Sequence, residues 1–188
     1  MVVSTGTGTQ KVKIAETTIP GVLLIEPEVH RDNRGSLSVA YERSGREQPG
    51  APMVQDNVVH SRINVIRGLH MQRKRQQAKI VQCLHGLILD VAVDPVTGDY
   101  YADWLSGNQA KQMYIPAGFL HGFCTKSEES VVLYKCSDYY CPDDQVAVRW
   151  NDPDIGIPWE LSGMGEPILS ERDTHAGSLR ELQESMNL

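Results

Sequence analysis

Two side chains that can do chemistry lie three positions apart near the middle of the chain. Arg67 and His70 occur in an apolar, partly β-branched segment, NVIRGLHMQ (64–72). A guanidinium binds anionic groups, and an imidazole can move a proton near neutral pH. Strict alternation along a strand would place the two on opposite faces. A bulge at Gly68 would bring them to one face, and glycine is frequent at bulges. We therefore predict a bulged strand that presents Arg67 and His70 together.

A second histidine, His121, lies in the segment IPAGFLHGF (115–123). The pattern P-x-G-x-x-H is a turn that delivers a histidine at the start of a strand. In metal-binding cupins, which are small β-barrels, such a histidine is one metal ligand and an H-x-H pair supplies others. The corresponding place here reads His70-Met71-Gln72. A catalytic metal usually needs three His or carboxylate ligands, so we predict no metal, and a metal-dependent cupin enzyme remains an alternative.

Other residues could complete a site. Tyr134, in VVLYKCSDYY (131–140), could donate a proton opposite a histidine base or simply pack in a strand. Tyr139 and Tyr140 could stack on a ring. Asp173, in LSERD, could orient a histidine as carboxylates do in catalytic triads, although spacing alone does not single it out. Four cationic residues could form a pyrophosphate cluster, although each alone would more commonly be a solvated surface charge: Arg34, Arg67, Lys79 and Arg172.

Composition excludes some partners. The net charge of -6 and the pI of about 5.5 disfavour binding to nucleic acid or to an acidic membrane, so any anion needs a local cationic cluster. The N-terminal residues lack the features of a signal peptide, and no apolar run is long enough to span a bilayer. The four cysteines contain no CxxC pair and are expected to be free or buried thiols. We expect a soluble, cytoplasmic protein.

The elements that must position these residues are mostly strands. Many short alternating segments separated by turns, such as DNRG (32–35) and DPVTGD (94–99), predict an all-β sandwich or barrel. A double-sheet jelly roll would enclose a pocket between its sheets. His85-Gly86 predicts a hairpin between its two flanking strands. Ser178 is a candidate N-cap for a helix that ends near Met186. Residues 1–10 are predicted to be a disordered arm, and residues 11–188 a single domain.

Several motifs together resemble those of dTDP-4-dehydrorhamnose 3,5-epimerases, over residues 14–175. They are IPGVLLIEPEVHRDNRGS, NVIRGLHMQ, QAKIVQCLHG, LDVAVD, YIPAGFLHGF, LYKCSDYYCP, RWNDPDIGIPW and ILSERD. The resemblance implies a cupin-type jelly roll with short peripheral helices and a homodimer with exchanged strands. It implies no metal and no organic cofactor. It also implies a nucleotide-linked 4-keto-6-deoxyhexose substrate, within rhamnose-type deoxysugar biosynthesis for polysaccharide.

The resemblance also implies roles for individual residues. His70 would be the base, Asp173 the carboxylate that orients it, and Tyr134 the acid on the opposite face. Lys79 would lie near the enolate oxygen and His121 near the sugar. The remaining matched positions would bind sugar, diphosphate or base: Arg34, Gln55, Asn57, Arg67, Tyr140, Gln145 and Arg172. The expected reaction converts dTDP-4-dehydro-6-deoxy-D-glucose to dTDP-4-dehydro-L-rhamnose by epimerisation at C3 and C5.

Three positions depart from the family's pattern. Val39 and Gln145 stand where the family has glutamates, and Met71 stands where it has an aromatic residue. These changes alter contacts to the nucleotide and leave the proton-transfer residues intact. The altered nucleotide contacts leave open a sugar-nucleotide binder without catalysis, beside the metal-dependent enzyme. An epimerase that inverts C3 alone also stays open, because the resemblance implies the same catalytic residues for such enzymes.

Overall fold

In the part of the chain that the structure describes, the fold consists mostly of antiparallel strands, with two short α-helices near the C-terminal end. The computed structural model describes residues 12–43, 49–161 and 163–187, and the predicted arm at residues 1–10 lies outside them. The described strands are β1 (Lys13–Glu16), β2 (Leu23–Glu26), β3 (Val29–Asp32), β4 (Gly35–Ser38), β5 (Gln55–Arg62), β6 (Ile66–Gln72), β7 (Lys79–His85), β8 (Leu87–Val93), β9 (Tyr100–Ser106), β10 (Gln112–Ile115), β11 (Leu120–Thr125), β12 (Glu129–Cys136) and β13 (Gln145–Ala147). The helices are α1 (Glu171–Thr174) and α2 (Leu179–Met186).

Most strands belong to two sheets whose strands pair antiparallel. The six-stranded sheet has the order β1-β2-β10-β7-β12-β5, and the five-stranded sheet the order β13-β6-β11-β8-β9. The hairpin of β3 and β4 forms a small sheet of its own. From β5 to β13, successive strands alternate between the two sheets except for β8 and β9, which pair within the five-stranded sheet, and this alternation is the arrangement of a jelly roll. The predicted all-β, cupin-type jelly roll is confirmed.

The connection between β7 and β8 is not the hairpin that we predicted. β7 pairs with β10 and β12, whereas β8 pairs with β9 and β11 in the other sheet. Gly86 lies where the chain passes from one sheet to the other and has a φ of +80°. A Cβ at this position would lie 2.2 Å from the carbonyl oxygen of Glu129. The periodicity of apolar residues in two buried strands does not show which other strands each of them pairs with. The turn residues His85-Gly86 therefore led to a wrong prediction of a hairpin.

Apolar side chains from both sheets form the core. Val81 and Val132 of the six-stranded sheet pack in one buried cluster with Ile88 and Phe123 of the five-stranded sheet. A second layer covers the outer side of the six-stranded sheet, where Tyr41 and Met53 pack around Ile80 and Tyr114. Because both faces are covered, β7 is buried from Lys79 to Cys83.

The C-terminal helix α2 begins where the sequence predicts. Ser178 is its N-cap and forms a capping box with Glu181, which satisfies backbone N–H groups of the first turn. Leu179 and Leu182 bury the apolar side of the helix against the core. Neither helix among the described residues is long and apolar enough to cross a membrane.

Candidate active site

A cavity of about 480 Å³ opens between the two sheets. The five-stranded sheet contributes side chains from β6, β11 and β13, and the six-stranded sheet contributes side chains from β7 and β12. Eight of the predicted site residues line it: Arg67, His70, Lys79, His121, Tyr134, Tyr140, Gln145 and Asp173. Polar and titratable groups that lie far apart in the chain therefore meet at one place, as in an enzyme pocket.

A bulge in β6 brings Arg67 and His70 to the cavity, as predicted. His70 lies opposite His121 of β11, and Arg67 lies opposite Phe123, so Gly122 alone faces the two residues between Arg67 and His70. Gly68 has a φ of +130°, and a Cβ at this position would lie 2.5 Å from the Cα of Gly122. Glycine is required here by both the backbone angle and the close approach of the strands.

His70 is paired with Asp173. Its Nε2 lies 2.5 Å from Oδ1 of Asp173, whose side chain is 3% exposed. Ser170 caps helix α1 and accepts a hydrogen bond from the backbone N–H of Asp173, which fixes the position of the carboxylate. Burial by itself raises the pKa of Asp173, but hydrogen bonds and charge from His70, with further bonds from Ser170 and Gly68, lower it overall. The ionised carboxylate accepts Nε2–H, which leaves Nδ1 of His70 as the nitrogen that can take a proton.

The residue Asn64 holds Asp173's segment against the strand that carries His70. Its side-chain amide donates to the backbone carbonyls of Met164, Gly165 and Glu166 at 3.0, 3.3 and 2.6 Å. Its backbone carbonyl also accepts a hydrogen bond from the N–H of Ile168 at 2.9 Å. The chain from Met164 to Ile168, which leads into Ser170 and Asp173, is thereby anchored to the start of β6. We did not identify Asn64 from the sequence, because nothing local distinguishes it from other turn asparagines.

A second histidine–carboxylate pair lies in the five-stranded sheet. Nε2 of His121 is 2.8 Å from Oδ1 of Asp90, and both side chains are buried. Burial lowers the pKa of His121 although Asp90 opposes the shift, so the ring is neutral and donates Nε2–H to the carboxylate. We did not identify Asp90 as a site residue from the sequence. A charged residue within the apolar segment LILDVAV (87–93) was a usable signal, because a buried carboxylate needs a partner.

Lys79 and Tyr134 reach the cavity from the six-stranded sheet, opposite His70. Lys79 is 9% exposed, and burial lowers its pKa against the opposing influence of Cys136 and Asp90. Burial raises the pKa of Tyr134, so its phenol stays protonated at neutral pH. The rings of Tyr134 and His121 have centroids 6.4 Å apart. The cavity thus has the imidazole of His70 on one wall and a protonated phenol on the other.

Tyr140, Gln145 and Arg172 form a connected group at one side of the cavity. Oε1 of Gln145 accepts a hydrogen bond from the hydroxyl of Tyr140 at 2.7 Å and another from Nη1 of Arg172 at 2.5 Å. The backbone N–H of Tyr140 donates to Gln55, and the amide of Gln55 donates to Asn57 at 2.9 Å. Arg172, Gln55 and Asn57 therefore adjoin the cavity through other residues and are not among its lining residues.

The structure does not bring Arg34 to the cavity of its own chain. The side chain is 86% exposed and pairs with Asp32 at 2.6 Å, on a hairpin whose two strands, among the residues that the structure describes, pair only with each other. Arg67, by contrast, lines the cavity while donating hydrogen bonds to Ser61 and to the carbonyl of His60. The predicted cluster of four cations is therefore not assembled within one chain.

The described part of the chain contains no group of three or more His, Cys, Asp or Glu side chains that could hold a metal ion. The two cavity histidines each direct Nε2 to a carboxylate. Where a second histidine of an H-x-H pair would stand, Gln72 instead donates to the carbonyl of Arg75 and accepts from the N–H of Cys141.

Comparison with known proteins identifies relatives over almost the whole chain. A family model described as dTDP-4-dehydrorhamnose 3,5-epimerase matches residues 16–181. A dTDP-4-dehydrorhamnose 3,5-epimerase from Methanothermobacter thermautotrophicus is 39% identical over 176 residues, which cover 90% of this chain and 95% of the relative.

Solved structures agree with this match. A dTDP-6-deoxy-D-glucose-3,5-epimerase from Legionella pneumophila, in complex with dTDP-4-keto-L-rhamnose, superimposes with a TM-score of 0.87 at 34% identity, covering 93% of this chain and 96% of the other. A 3′-monoepimerase from Streptomyces bikiniensis, in complex with dTDP-quinovose, gives a TM-score of 0.81 at 31% identity, covering 92% and 90%.

Proposed function

The chain belongs to the dTDP-4-dehydrorhamnose 3,5-epimerase family, and from this premise we propose that it inverts C3 and C5 of dTDP-4-dehydro-6-deoxy-D-glucose. The product would be dTDP-4-dehydro-L-rhamnose, an intermediate of rhamnose biosynthesis for polysaccharide. The enzyme is an isomerase, and the reaction that we propose needs only acid–base groups of the protein.

The chemistry requires proton transfer on two faces of the sugar. The 4-ketone acidifies the C–H bonds at C3 and C5, and removal of either proton gives an enolate. Inversion follows when a proton returns to the same carbon from the opposite face. The protein must therefore supply a base on one side, an acid on the other, and positive charge near the enolate oxygen.

One observation carries the proposal: His70 and Tyr134 face the same cavity from different sheets. Nδ1 of His70 takes the proton, while Asp173 at 2.5 Å holds the ring and stabilises the imidazolium that forms. Tyr134 returns a proton from the opposite wall. The ammonium group of Lys79, on the same side as Tyr134, stabilises the enolate oxygen in a site where burial strengthens electrostatic interactions.

Proton NMR in deuterated water tests the proposal. Incubation with dTDP-4-keto-6-deoxyglucose should remove the proton signals of both C3 and C5. His70→Ala should abolish this exchange, and Tyr134→Phe should lower net epimerisation while some exchange persists. Exchange by His70→Ala at the wild-type rate would show that another group is the base.

A second candidate is epimerisation at C3 alone. It is supported by the similarity to the 3′-monoepimerase at 31% identity, which is close to the 34% found for the 3,5-epimerase structure. The same experiment separates the two, since a C3 epimerase would remove only the C3 signal. Metal analysis of active protein tests the metal-dependent alternative, and tight binding of the nucleotide sugar without any exchange would favour a non-catalytic binder.

We also propose a homodimer in which each protomer extends the hairpin of β3 and β4 to the other. Two observations support this arrangement: the hairpin pairs with no other strand of the described part of the chain, and it exposes Leu37 (62%) near the exposed Arg34. An exposed apolar side chain on an isolated hairpin favours contact with another surface. In such a dimer, Arg34 of one protomer would serve the cavity of the other.

Mixed dimers test the exchange of hairpins. Arg34→Ala and His70→Ala proteins, each of low activity, are mixed, unfolded and refolded together. If hairpins are exchanged, each mixed dimer has one complete site, so the mixture should recover about a quarter of wild-type activity. If each hairpin serves its own protomer, no mixed dimer has a complete site and mixing gives no recovery.

Residues 11–188 would act as one domain in this enzyme. We propose a cytoplasmic location, supported by the state of the four cysteines. Cys83, Cys124, Cys136 and Cys141 are all free thiols, as is usual in a reducing compartment.

A further inference from the structure

Asp90 is a fully buried residue, and one oxygen of its carboxylate is left without a hydrogen bond. Oδ1 accepts from Nε2 of His121, whereas Oδ2 has no hydrogen-bond partner within the described part of the chain. Burying a carboxylate with one neutral donor is costly, so a second favourable interaction is expected. We propose that Asp90 is a positioning residue whose negative charge keeps the side chain of Lys79 in the ammonium form. The inference rests on the proposed function only for the use that the reaction makes of this ammonium group.

Asp90 and Lys79 lie on the two sheet faces that are turned toward each other. Side chains alternate along a strand, so Asp90 shares a face of β8 with Ile88 and Ala92, which belong to the core cluster between the sheets. In the same way, Lys79 shares a face of β7 with Val81 of that cluster. Lys79 lines the cavity, whereas Asp90 is not among the lining residues. The carboxylate therefore acts on Lys79 from behind the cavity wall, without contact with the substrate.

The charge of Lys79 needs support because the residue is 9% exposed. Burial disfavours the charged form and lowers the pKa of Lys79. Its ammonium group forms no hydrogen bond or ion pair with any residue that the structure describes, so it is available to a ligand in the cavity. A neutral amine would offer an enolate oxygen no positive charge. The proposed reaction therefore requires an anion near Lys79 that offsets the effect of burial.

Titratable or charged groups from several elements lie around Lys79. They are Arg67 and His70 of β6, Asp90 of β8, His121 of β11, Tyr134 and Cys136 of β12, and Asp173 of α1. Burial raises the pKa of the Cys136 thiol and of the Tyr134 phenol, so both are uncharged at neutral pH. Asp173 is already paired with His70. The neutral ring of His121 bonds to Asp90 without cancelling its charge, so among these groups Asp90 is the anion left for Lys79.

NMR titration of protein with isotope-labelled lysine follows the protonation of Lys79 directly. Its signal is the one that is missing from Lys79→Met. In Asp90→Asn, Lys79 should lose its proton about one pH unit lower than in the wild type, because an opposite charge is removed. Asp103→Asn is the matched control, since Asp103 lies opposite Asp90 in the same sheet but is already paired with Lys111 at 3.0 Å. This control should shift the titration of Lys79 much less.

The rate of deuterium incorporation at C3, measured against pH, connects this charge to the reaction. The alkaline limb of the Asp90→Asn profile should move to lower pH together with the titration of Lys79. Above the shifted limb, the variant should therefore be slower than the wild type by a further factor of up to about 10. If Asp90 only supported the fold, the rate would fall evenly at all pH values. An even loss, with Lys79 titrating as in the wild type, would overturn the proposal.

The wild-type titration decides the matter even if Asp90→Asn does not fold. A Lys79 that is charged at neutral pH despite its burial agrees with the proposal, and an uncharged Lys79 there would contradict it. The titration needs no substrate, so its outcome is separable from that of the proposed function. If wild-type protein exchanges no substrate proton for deuterium, the proposed reaction is wrong, yet the titration still decides whether Asp90 holds the charge of Lys79.

Discussion

Replacement of Asp173 by asparagine tests the reasoning about the base most directly. Asp173 accepts Nε2–H of His70 at 2.5 Å and is almost fully buried, so Asp173→Asn changes charge and hydrogen bonding with little change in volume. The amide of asparagine can instead donate to Nε2. The proton of the neutral ring would then lie on Nδ1, where it removes the lone pair that the mechanism uses.

The expected loss of rate in Asp173→Asn can be worked from the hydrogen bond between Asp173 and His70. A hydrogen bond to a charged group contributes about 1.5 to 3 kcal/mol. At 1.36 kcal/mol for each factor of ten, its loss from the transition state alone slows the reaction by about 10- to 150-fold. A reversed tautomer removes general-base catalysis as well, which contributes about 10²- to 10⁴-fold. We therefore expect proton exchange to slow by at least about 10-fold and by up to about 10⁴-fold.

The assay is the initial rate of deuterium incorporation at C3, followed by NMR with saturating substrate. Asp143→Asn, at an exposed aspartate on the surface, is the control for loss of one negative charge and should exchange at the wild-type rate. Thermal unfolding of each variant establishes that it is folded at the assay temperature. An Asp173→Asn rate within about threefold of the wild type would refute the role that we assign to this carboxylate.

Other predictions concern the structure that holds the site. Gly68→Ala should lower the free energy of unfolding by about 2 kcal/mol or more, because its Cβ would lie 2.5 Å from the Cα of Gly122. Gly35→Ala is the control, since Gly35 has a similar φ but no atom within 4 Å of its Cβ position. In the same urea titration, Gly35→Ala should lower the free energy of unfolding by less. Asn64→Ala should lower the unfolding free energy by about 1 to 3 kcal/mol, and equal stability of this variant and the wild type would contradict the anchoring role. The fold lowers the pKa of Asp173 below 3.8, so its stabilising contribution is present above that pH and is lost as the pH falls through the lower folded value. The stability difference between wild type and Asp173→Asn should therefore shrink below pH 3.8, and a difference that grows there would show that the sign is wrong.

Local patterns in the sequence were sufficient for several features. Gly68 between Arg67 and His70 predicted the bulge because glycine tolerates the backbone angle and the close contact that a bulge needs. Ser178 predicted the start of α2 because capping depends on residues within one turn. The short alternating segments predicted an all-β sandwich or barrel, since alternation reflects one buried face of each strand.

Long-range pairing accounts for what the sequence did not predict. β7 and β8 lie in different sheets because different neighbouring strands, β12 and β11, pair with them. The two segments have similar local sequences, so this difference could not be predicted from either one alone. The contacts of Asn64 with Met164 to Glu166, and of Asp90 with His121, join segments separated by tens of residues, so no local pattern encodes them.

The sequence by itself determined the residue types available for chemistry, the strand-rich fold class and the resemblance to a family of epimerases. Only the tertiary structure decided that His70 and Tyr134 face one cavity from opposite sheets, and that Arg34 stays outside the cavity of its own chain. The physical reason is that side-chain periodicity reports which face of a strand is buried, whereas the position of that strand relative to others depends on packing of the whole core.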